Sequence, residues 1–334
     1  MNFVYDYTSN RSDVPYLRRF GTYAVLSFLL GCPSLSSAKT PPAESQLSFN
    51  SPQDAVNAVI TACKQDDIPA LLKIFGPDGK TIVESGDNRD DQENRAKFER
   101  LAQEKNALIP DPMDADKMIV SIGNDEWPFP IPLIRQEGRW YFDTAAGLEE
   151  ILARRIGSNE LNAIEICHGY VETQFEFAHA HQQNGVPEYA QQIVSSPGKQ
   201  DGLYWDPSPG APECDIPKGF AKAAVHMASA HGEPYRGYYY RILTRQGPDA
   251  RGGEVNYIVK GHMIGGFALI AWPAEYGASG VQTFIVNHDG IVYEKHLGRD
   301  TTKLVEKITT FNPDATWHPI APEQDTSTTT DTTP

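Results

Sequence analysis

The hydrophobic period of this chain changes three times, and these changes constrain its fold more than any other feature. Residues 51–109 carry apolar side chains at helical spacing, and 117–144 are short runs rich in Ile, Val and aromatic residues. A long helical pattern follows over 147–180, and strand-like runs return after residue 236. Helices and strands in separate blocks predict an α+β fold with antiparallel sheets.

The first block predicts three helices. Ser51 is expected to cap the first helix, with Pro52 at its first position and Asp54 completing a capping box. The second helix covers "IPALLKIF" and ends at Gly76, and the third covers 90–109. The apolar stripe of the first helix comprises Ala55, Val59, Ala62 and Cys63.

Three strands are predicted next, in "KMIVSIG", "FPIPLIRQEG" and "RWYFDTA", with a turn at Glu137–Gly138. Pro128, Pro130 and Pro132 lack N–H donors, which favours a sheet edge for the middle strand. We therefore expect an N-terminal α+β domain over 51–146, with helices packed on a curved antiparallel meander. This arrangement resembles the nuclear-transport-factor-2-like and cystatin-like architectures, and the resemblance carries no function.

The second half predicts a domain over 147–320. A long helix opens it, with Gly157 as a candidate interruption, and a loop-rich stretch follows from Gln182 to Glu233. An antiparallel β-meander is predicted next, in "GYYYRILTRQG", "EVNYIVKG", "GGFALIAWPAEYG" and "VQTFIVNHDGIVYEKHLG". A closing helix is predicted in "TTKLVEKITTF", and 321–334 is expected to be a disordered polar tail. The expected apolar face of the long helix comprises Ile151, Ile156, Leu161, Ile164, Val171 and Phe175.

The N-terminus predicts export. Arg18 and Arg19 precede "FGTYAVLSFLL", an uncharged run too short for an ordinary bilayer span, so 1–38 is expected to be a signal peptide. Residues 29–32, "LLGC", resemble a bacterial lipobox with Cys32 as the lipidated residue, and "SSA" offers cleavage after Ala38 instead. Residues 39–50 form a polar linker in either case. The protein is expected in the periplasm or at the outer membrane as a lipoprotein, or secreted after Ala38.

Charge and cysteine usage exclude several classes of function. A net charge of −15 argues against binding to nucleic acid or to an anionic membrane surface. Contact with a membrane is therefore expected only through the lipid anchor. No CxxC motif occurs, and Cys63, Cys167 and Cys214 leave at most one disulfide open. Cys63 and Cys167 follow apolar residues at helical spacing, which favours small buried side chains.

The candidate chemistry is sparse. "NHDG" at 287–290 predicts a hairpin turn containing His288, with Glu294 and His296 on one face of the following strand. His179 and His181 are two residues apart and do not share a helical face, so no metal site is expected. No cofactor is expected either. Aromatic and acidic residues concentrate in 125–143, where a pocket is a candidate. The pocket candidates are Asp125, Trp127, Trp140 and Asp143.

Several long strings resemble one bacterial family. "NDEWPFPIPLIRQEGRWYFDTAAGLEEILARRIGSNELNAI", "YRGYYYRILTRQGP" and "GGFALIAWPAEYGASGVQTFIVNHDGIVYEKHLG" are similar to domain of unknown function 2950, over residues 47–320. The resemblance implies an exported bacterial protein and supplies no catalytic residue. The C-terminal half is also similar, more weakly, to pilin-like heads, although the helix here is not N-terminal.

Because no nucleophile, metal or nucleotide motif is present, the sequence favours a non-enzymatic cell-envelope protein that binds or assembles with another envelope protein. The alternative is a hydrolase or a small-ligand-binding protein that uses the pocket around 125–143.

Overall fold

A computed structural model describes residues 46–183, 185–196, 198–205, 218–229 and 232–320. The chain divides into two compact units between Arg155 and Ile156. The predicted signal peptide over 1–38, Cys32, linker residues 39–45, Cys214 and the tail over 321–334 lie outside the described residues. Helices and antiparallel sheets together make the α+β fold that the sequence predicts.

Helices open the N-terminal unit. Ser51 caps the first of them, because its Oγ accepts a hydrogen bond from the backbone N–H of Asp54 at 3.1 Å, and Pro52 is its first residue, as predicted. The predicted stripe of this helix is buried. The second helix ends at Gly76, also as predicted. The helices are α1 (Pro52–Lys64), α2 (Ile68–Phe75), α3 (Lys80–Val83) and α4 (Asn88–Glu104).

The predicted end of the third helix is wrong, because the helix is shorter than predicted. Helix α4 ends at Glu104, and Asn106–Asp111 form strand β1, which pairs with strand β2 (Asp114–Ile122). Residues Ala107 to Pro110 pair in register with Ser121 to Met118. Pairing with a strand rich in Ile and Val outweighs the local helical preference of this segment.

Five strands form the antiparallel sheet of this unit, in the order β1-β2-β4-β5, and β3 also pairs with β2. Glu137 and Gly138 make the predicted turn between β4 and β5, with φ of 50° and 76°. Phe75, Phe98, Phe129 and Phe142 pack as neighbouring rings in the core of this unit. The remaining strands are β3 (Trp127–Pro128), β4 (Leu133–Gln136) and β5 (Arg139–Phe142).

The edge placement predicted from the prolines is wrong for the main part of that strand. Strand β4 pairs with β2 on one side and with β5 on the other, so it lies inside the sheet. Pro130 and Pro132 precede β4 rather than interrupt it, and only Pro128 belongs to a strand, the two-residue β3. The missing N–H groups of Pro130 and Pro132 therefore fall in the connection before β4, where the ladder does not need them.

Helix α5 (Thr144–Ala180) is continuous through Gly157, and the division between the units falls inside it. Its predicted apolar face is partly wrong, because Leu161 is 41% and Phe175 47% exposed. A different stripe of the helix, rotated from the predicted one, packs in the core with the C-terminal sheet. The buried apolar residues of that stripe are Ala163, Ile166, Cys167, Tyr170, Val171 and Ala178. Within the described ranges, no helix is long and apolar enough to cross a membrane.

The C-terminal unit contains the predicted antiparallel meander, ordered β16-β15-β14-β13-β8. Its strands are β8 (Tyr238–Leu243), β13 (Ala268–Pro273), β14 (Thr283–Asn287), β15 (Tyr293–Lys295) and β16 (His318–Pro319). "EVNYIVKG" does not join this sheet and forms separate two-stranded ladders. In these ladders β10 (Val255–Asn256) pairs with β9 (Arg245–Gln246), and β11 (Ile258–Val259) pairs with β12 (His262–Met263). A further two-stranded ladder joins β6 (Gln182–Gln183) to β7 (Val186–Pro187).

Two further helices complete this unit. Helix α6 (Lys218–Ser229) lies in the stretch that was expected to be loop-rich. Helix α7 (Thr301–Val305) is shorter than the closing helix predicted over 301–311. The guanidinium group of Arg241 donates hydrogen bonds to the carbonyl oxygens of Val305 and Ile308, at 2.7 and 2.8 Å, and so satisfies the end of α7.

Candidate functional site

The four residues of the predicted pocket have separate structural roles. Trp127 and Trp140 are only 6% and 7% exposed and belong to the core of the N-terminal unit. Asp125 is exposed in the turn before β3. Asp143 accepts a hydrogen bond from the backbone N–H of Ala146 at 3.1 Å, at the start of α5. None of the four lines either cleft described below, so a pocket here stays a prediction.

The paired histidines do not converge on a metal position. His181 stacks on the ring of Phe177 at 3.9 Å, and its Nδ1 lies 2.8 Å from the carbonyl oxygen of Phe177. His179 is exposed in the last turn of α5. Among the residues that the structure describes, no group of three His, Cys, Asp or Glu side chains could hold a metal ion.

The "NHDG" segment is the predicted hairpin turn between β14 and β15. The backbone N–H of Gly290 donates to the carbonyl oxygen of Asn287 at 2.9 Å, and Gly290 has φ of +76°. The imidazole of His288 packs edge-on against Tyr257 and Phe267, with centroids 5.9 and 6.1 Å apart. The turn therefore has a structural role.

The strand after the turn leads to a group of ionisable side chains that the sequence did not predict as a group. We call Glu160, Tyr238, Glu294, His296 and His318 the Glu160–Glu294 cluster. Glu160 lies on α5, Tyr238 on β8, Glu294 on β15, His296 just after β15 and His318 on β16. One helix, three strands and the residue that follows β15 therefore contribute to it.

Glu160 connects α5 to the backbone at the start of β14. Its Oε1 accepts hydrogen bonds from the N–H groups of Val281 and Gln282, at 2.8 and 3.0 Å. The hydroxyl of Tyr238 donates to the carbonyl oxygen of Gln282 at 3.0 Å and also lies within hydrogen-bonding reach of Glu160. On the same helix, the side-chain amide of Asn159 donates to the carbonyl oxygen of Ser279 at 2.9 Å.

Close backbone packing makes room for this arrangement. A Cβ atom on Gly280 would lie 2.1 Å from the hydroxyl oxygen of Tyr238, so a side chain at this position is excluded. Gly237 has φ of +75°, and a Cβ atom there would lie 2.7 Å from the Asn159 side-chain amide. Two glycines thus let Tyr238 and Asn159 reach the loop at 275–282.

Glu294 approaches the cluster from the sheet. It is the cross-strand partner of Phe284, whose ring lies 5.9 Å from the ring of Tyr238, so all three residues occupy the helix-facing side. On its other side Glu294 pairs with His318 of β16. His296 is exposed, and its Nε2 lies 2.7 Å from the hydroxyl of Tyr276.

Burial perturbs both carboxyl groups. It raises the pKa of Glu160 above its ordinary value, and the two backbone N–H groups that Glu160 accepts offset part of the rise. Burial also raises the pKa of Glu294, and the negative charge of Glu160 raises it further. Burial, followed by the charge of Glu160, raises the pKa of the Tyr238 hydroxyl, so Tyr238 remains a hydrogen-bond donor.

Tyr238 also lines a cleft of about 370 Å³ along the edge of the C-terminal sheet, which we call the β8 groove. Strand β8 is the outer strand of the sheet on this side. Five consecutive residues, Tyr238–Ile242, line the groove. Alternate side chains of a strand point to opposite faces of the sheet, so the side chains of one face cannot account for this lining. A continuous run of this kind presents the main chain of the strand. The opposite walls comprise Gln191, Gln192, Ile193, Gly232 and Glu233.

The main chain of β8 has unused hydrogen-bonding groups in this groove. Gly237 pairs inward, since its carbonyl oxygen accepts from the N–H of Ala274, so Tyr238, Tyr240 and Ile242 turn their backbone groups outward. Tyr238 uses these groups in two bonds with Tyr235. In the part of the chain that the structure describes, the outward backbone groups of Tyr240 and Ile242 have no hydrogen-bond partner.

The sequence held only weak signals for these features. "GYYYRILTRQG" was predicted as a strand, but nothing in its pattern marks it as an edge strand. Glu160 lies in a polar helical stretch where a solvated side chain is the ordinary expectation. A second cleft, of about 410 Å³, lies in the N-terminal unit between α1 and α2, and its lining is mostly apolar.

Comparison with known proteins places the chain in a family. No curated protein and no solved structure matches it. The family model described as "Protein of unknown function (DUF2950)" matches residues 46–320, which cover part of both units and the whole of the C-terminal sheet. The chain therefore belongs to the DUF2950 family, as its longest sequence strings predict.

Proposed function

We propose that this protein binds an extended polypeptide segment of another envelope protein in the β8 groove. The observation that carries the proposal is the pair of outward-facing residues Tyr240 and Ile242, whose backbone groups line an open cleft without hydrogen-bond partners in the described residues. A peptide strand that pairs with a free sheet edge gains its affinity from such main-chain groups.

The walls of the groove favour a single strand as the occupant. Residues outside β8 also line the groove, so the edge is recessed rather than flat; they are Gln191, Gln192, Ile193, Gly232 and Glu233. Pairing with the edge of a second sheet requires a flat, accessible strand, whereas one extended segment can enter a cleft.

We also propose that the protein is exported and anchored in the envelope through a lipid on Cys32. The charged, apolar and small-residue order of 1–38 supports export, and "LLGC" supports lipidation over release after Ala38. A lipid-anchored body meets other envelope proteins at close range, which suits a binding role. The proposed function is therefore capture or assembly without catalysis.

Selection from a displayed library of ten-residue peptides against the purified mature protein tests this function. Ile242→Pro removes the outward N–H of β8 without touching the inward ladder, because Pro is tolerated at sheet edges. We expect Ile242→Pro to weaken binding of a selected peptide about tenfold, in line with the loss of one hydrogen bond and a steric block. Titration calorimetry measures the dissociation constant.

Ile242→Ala is the matched control, because it removes the side chain and keeps the backbone N–H. It should bind within a few-fold of the parent protein. Equal losses in the Pro and Ala variants would show that the backbone edge is not used. Turnover of ester, peptide or glycoside substrates by the same preparation would contradict the non-enzymatic role.

A further inference from the structure

Arg241 brings a positive charge to the β8 groove that no acidic side chain neutralises. Two charged residues line the groove, the half-buried Arg241 and the exposed Glu233, and they form no ion pair with each other. Within the described residues, Arg241 has no carboxylate partner at all. Arg135 and Arg154 also stack on tryptophan rings, but each of them pairs with a carboxylate at 2.7 Å.

The guanidinium group of Arg241 is held in place at one end and stacked on a ring. Its Nη2 makes the two hydrogen bonds to the carbonyl oxygens of Val305 and Ile308, and its Cζ lies 5.4 Å from the ring centroid of Trp272. In the part of the chain that the structure describes, Nε and Nη1 have no hydrogen-bond partner. A guanidinium that is already positioned loses little further freedom when it binds a carboxylate.

The edge of β8 determines which residue of a bound segment meets Arg241. Tyr235 already pairs with Tyr238 through two backbone hydrogen bonds of 2.9 and 3.0 Å, so a bound segment is confined to the stretch around Tyr240 and Ile242. An antiparallel segment bonded to these two residues has one residue between its bonded positions, directly opposite Arg241. Opposite residues share a face of the sheet, with Cβ atoms about 5 Å apart.

We infer that the segment bound in the β8 groove carries an aspartate or a glutamate opposite Arg241, an inference that rests on the proposed function and names the chemistry of its ligand. The carboxylate accepts a hydrogen bond from Nε or Nη1, and such a charge-assisted bond is roughly twice as strong as a neutral one. A half-buried cation has lost part of its hydration, and a neutral side chain cannot replace it. The net charge of −15 opposes this contact only weakly, because charges more than about 8 Å apart are largely screened at physiological ionic strength.

The ten-residue peptides selected against the purified mature protein are the probe for this inference. We expect an acidic residue at one fixed position of the selected peptides. Replacing it by the corresponding amide should weaken binding to the parent protein about tenfold in titration calorimetry, because a hydrogen bond to a charged group is lost. Moving the acidic residue by one position should give a similar loss, since its side chain then faces the other side of the sheet. These comparisons need no variant of the protein to fold.

Arg241→Gln supplies the matching change in the protein. In this variant the acidic peptide and its amide counterpart should bind equally, with folding checked by circular dichroism. Arg245→Gln removes an exposed arginine outside the groove and should keep the preference for the acidic peptide. Equal affinity of the two peptides for the parent protein would overturn the inference. So would a preference for the acidic peptide that persists in Arg241→Gln.

Ile242→Pro separates this inference from the proposed function. If Ile242→Pro weakens every selected peptide but no acidic position emerges, the groove binds extended segments and the inference about Arg241 is wrong. If no selected peptide binds, the proposed function is wrong and the inference falls with it.

Discussion

Gly290 illustrates how a single residue determines local structure in this protein. Its φ of +76° lies in the left-handed region, and no atom lies within 4 Å of the position that a Cβ would occupy. Space therefore does not require glycine here, and only the backbone conformation does. The same hairpin carries β15 and its Glu294 into the Glu160–Glu294 cluster, so the turn has a consequence beyond its own residues.

We expect Gly290→Val to lower the free energy of unfolding by about 1 kcal/mol or more, because a β-branched residue is strained at positive φ. Urea denaturation followed by circular dichroism measures the change. Asp289→Val introduces the same side chain at the neighbouring exposed position, where φ is not positive, and should cost less. Equal costs for the two variants would show that conformational strain at Gly290 is not the cause.

Helix α5 is the element whose behaviour departs most from its sequence pattern. Its existence was predicted, and it runs unbroken from Thr144 to Ala180. Its buried stripe was not predicted correctly, because Leu161 and Phe175 are exposed while Cys167 and Tyr170 are fully buried. Burial raises the pKa of the Cys167 thiol to about 12, which makes it the inert apolar side chain that its spacing predicts.

The glycines of α5 offer a test of the helix as an element. Nothing lies within 4 Å of a Cβ added at Gly157, so Gly157→Ala should raise the free energy of unfolding by up to about 1 kcal/mol through helix propensity alone. Thermal unfolding measures it. Gly169→Ala has the same propensity gain, but its Cβ would lie 3.0 Å from the Cβ of Phe220, so it should stabilise less or destabilise. A larger gain at Gly169 than at Gly157 would contradict this account.

At the scale of the whole molecule, the proposed export and anchoring depend on residues outside the described structure. Lipidation of Cys32 would hold an acidic body at the membrane, because buried acyl chains contribute about 0.8 kcal/mol per CH₂ group. A net charge of −15 gives the body no electrostatic attraction to an anionic bilayer. The anchor and not the surface is then expected to determine where the protein resides.

Intact mass spectrometry of the mature protein tests the anchor. We expect a chain that begins at Cys32 and carries a diacyl or triacyl adduct. Cys32→Ser should lose the adduct and accumulate as unprocessed precursor, whereas Cys63→Ser leaves the lipobox intact and should be processed normally. An unmodified chain that begins at Lys39 would show release after Ala38 instead.

Local signals determined the elements that depend on a few neighbouring residues. The Ser51 cap, the end of α2 at Gly76, the Glu137–Gly138 turn and the "NHDG" hairpin were all predicted. So were the α+β class and the family, because periodicity and long specific strings are properties of the chain itself. The cap and turn signals act through hydrogen bonds or backbone angles within about four residues.

Tertiary contacts decided the rest. The end of α4, the internal position of β4 and the buried stripe of α5 depend on partners far away in the chain. Glu160 meets Val281 across a sequence separation of 121 residues, and β8 is an edge because no later strand pairs with its outer side within the described sheet. Local pattern cannot encode such pairings, since the burial and repulsion that define the cluster exist only once the sheet has folded against the helix.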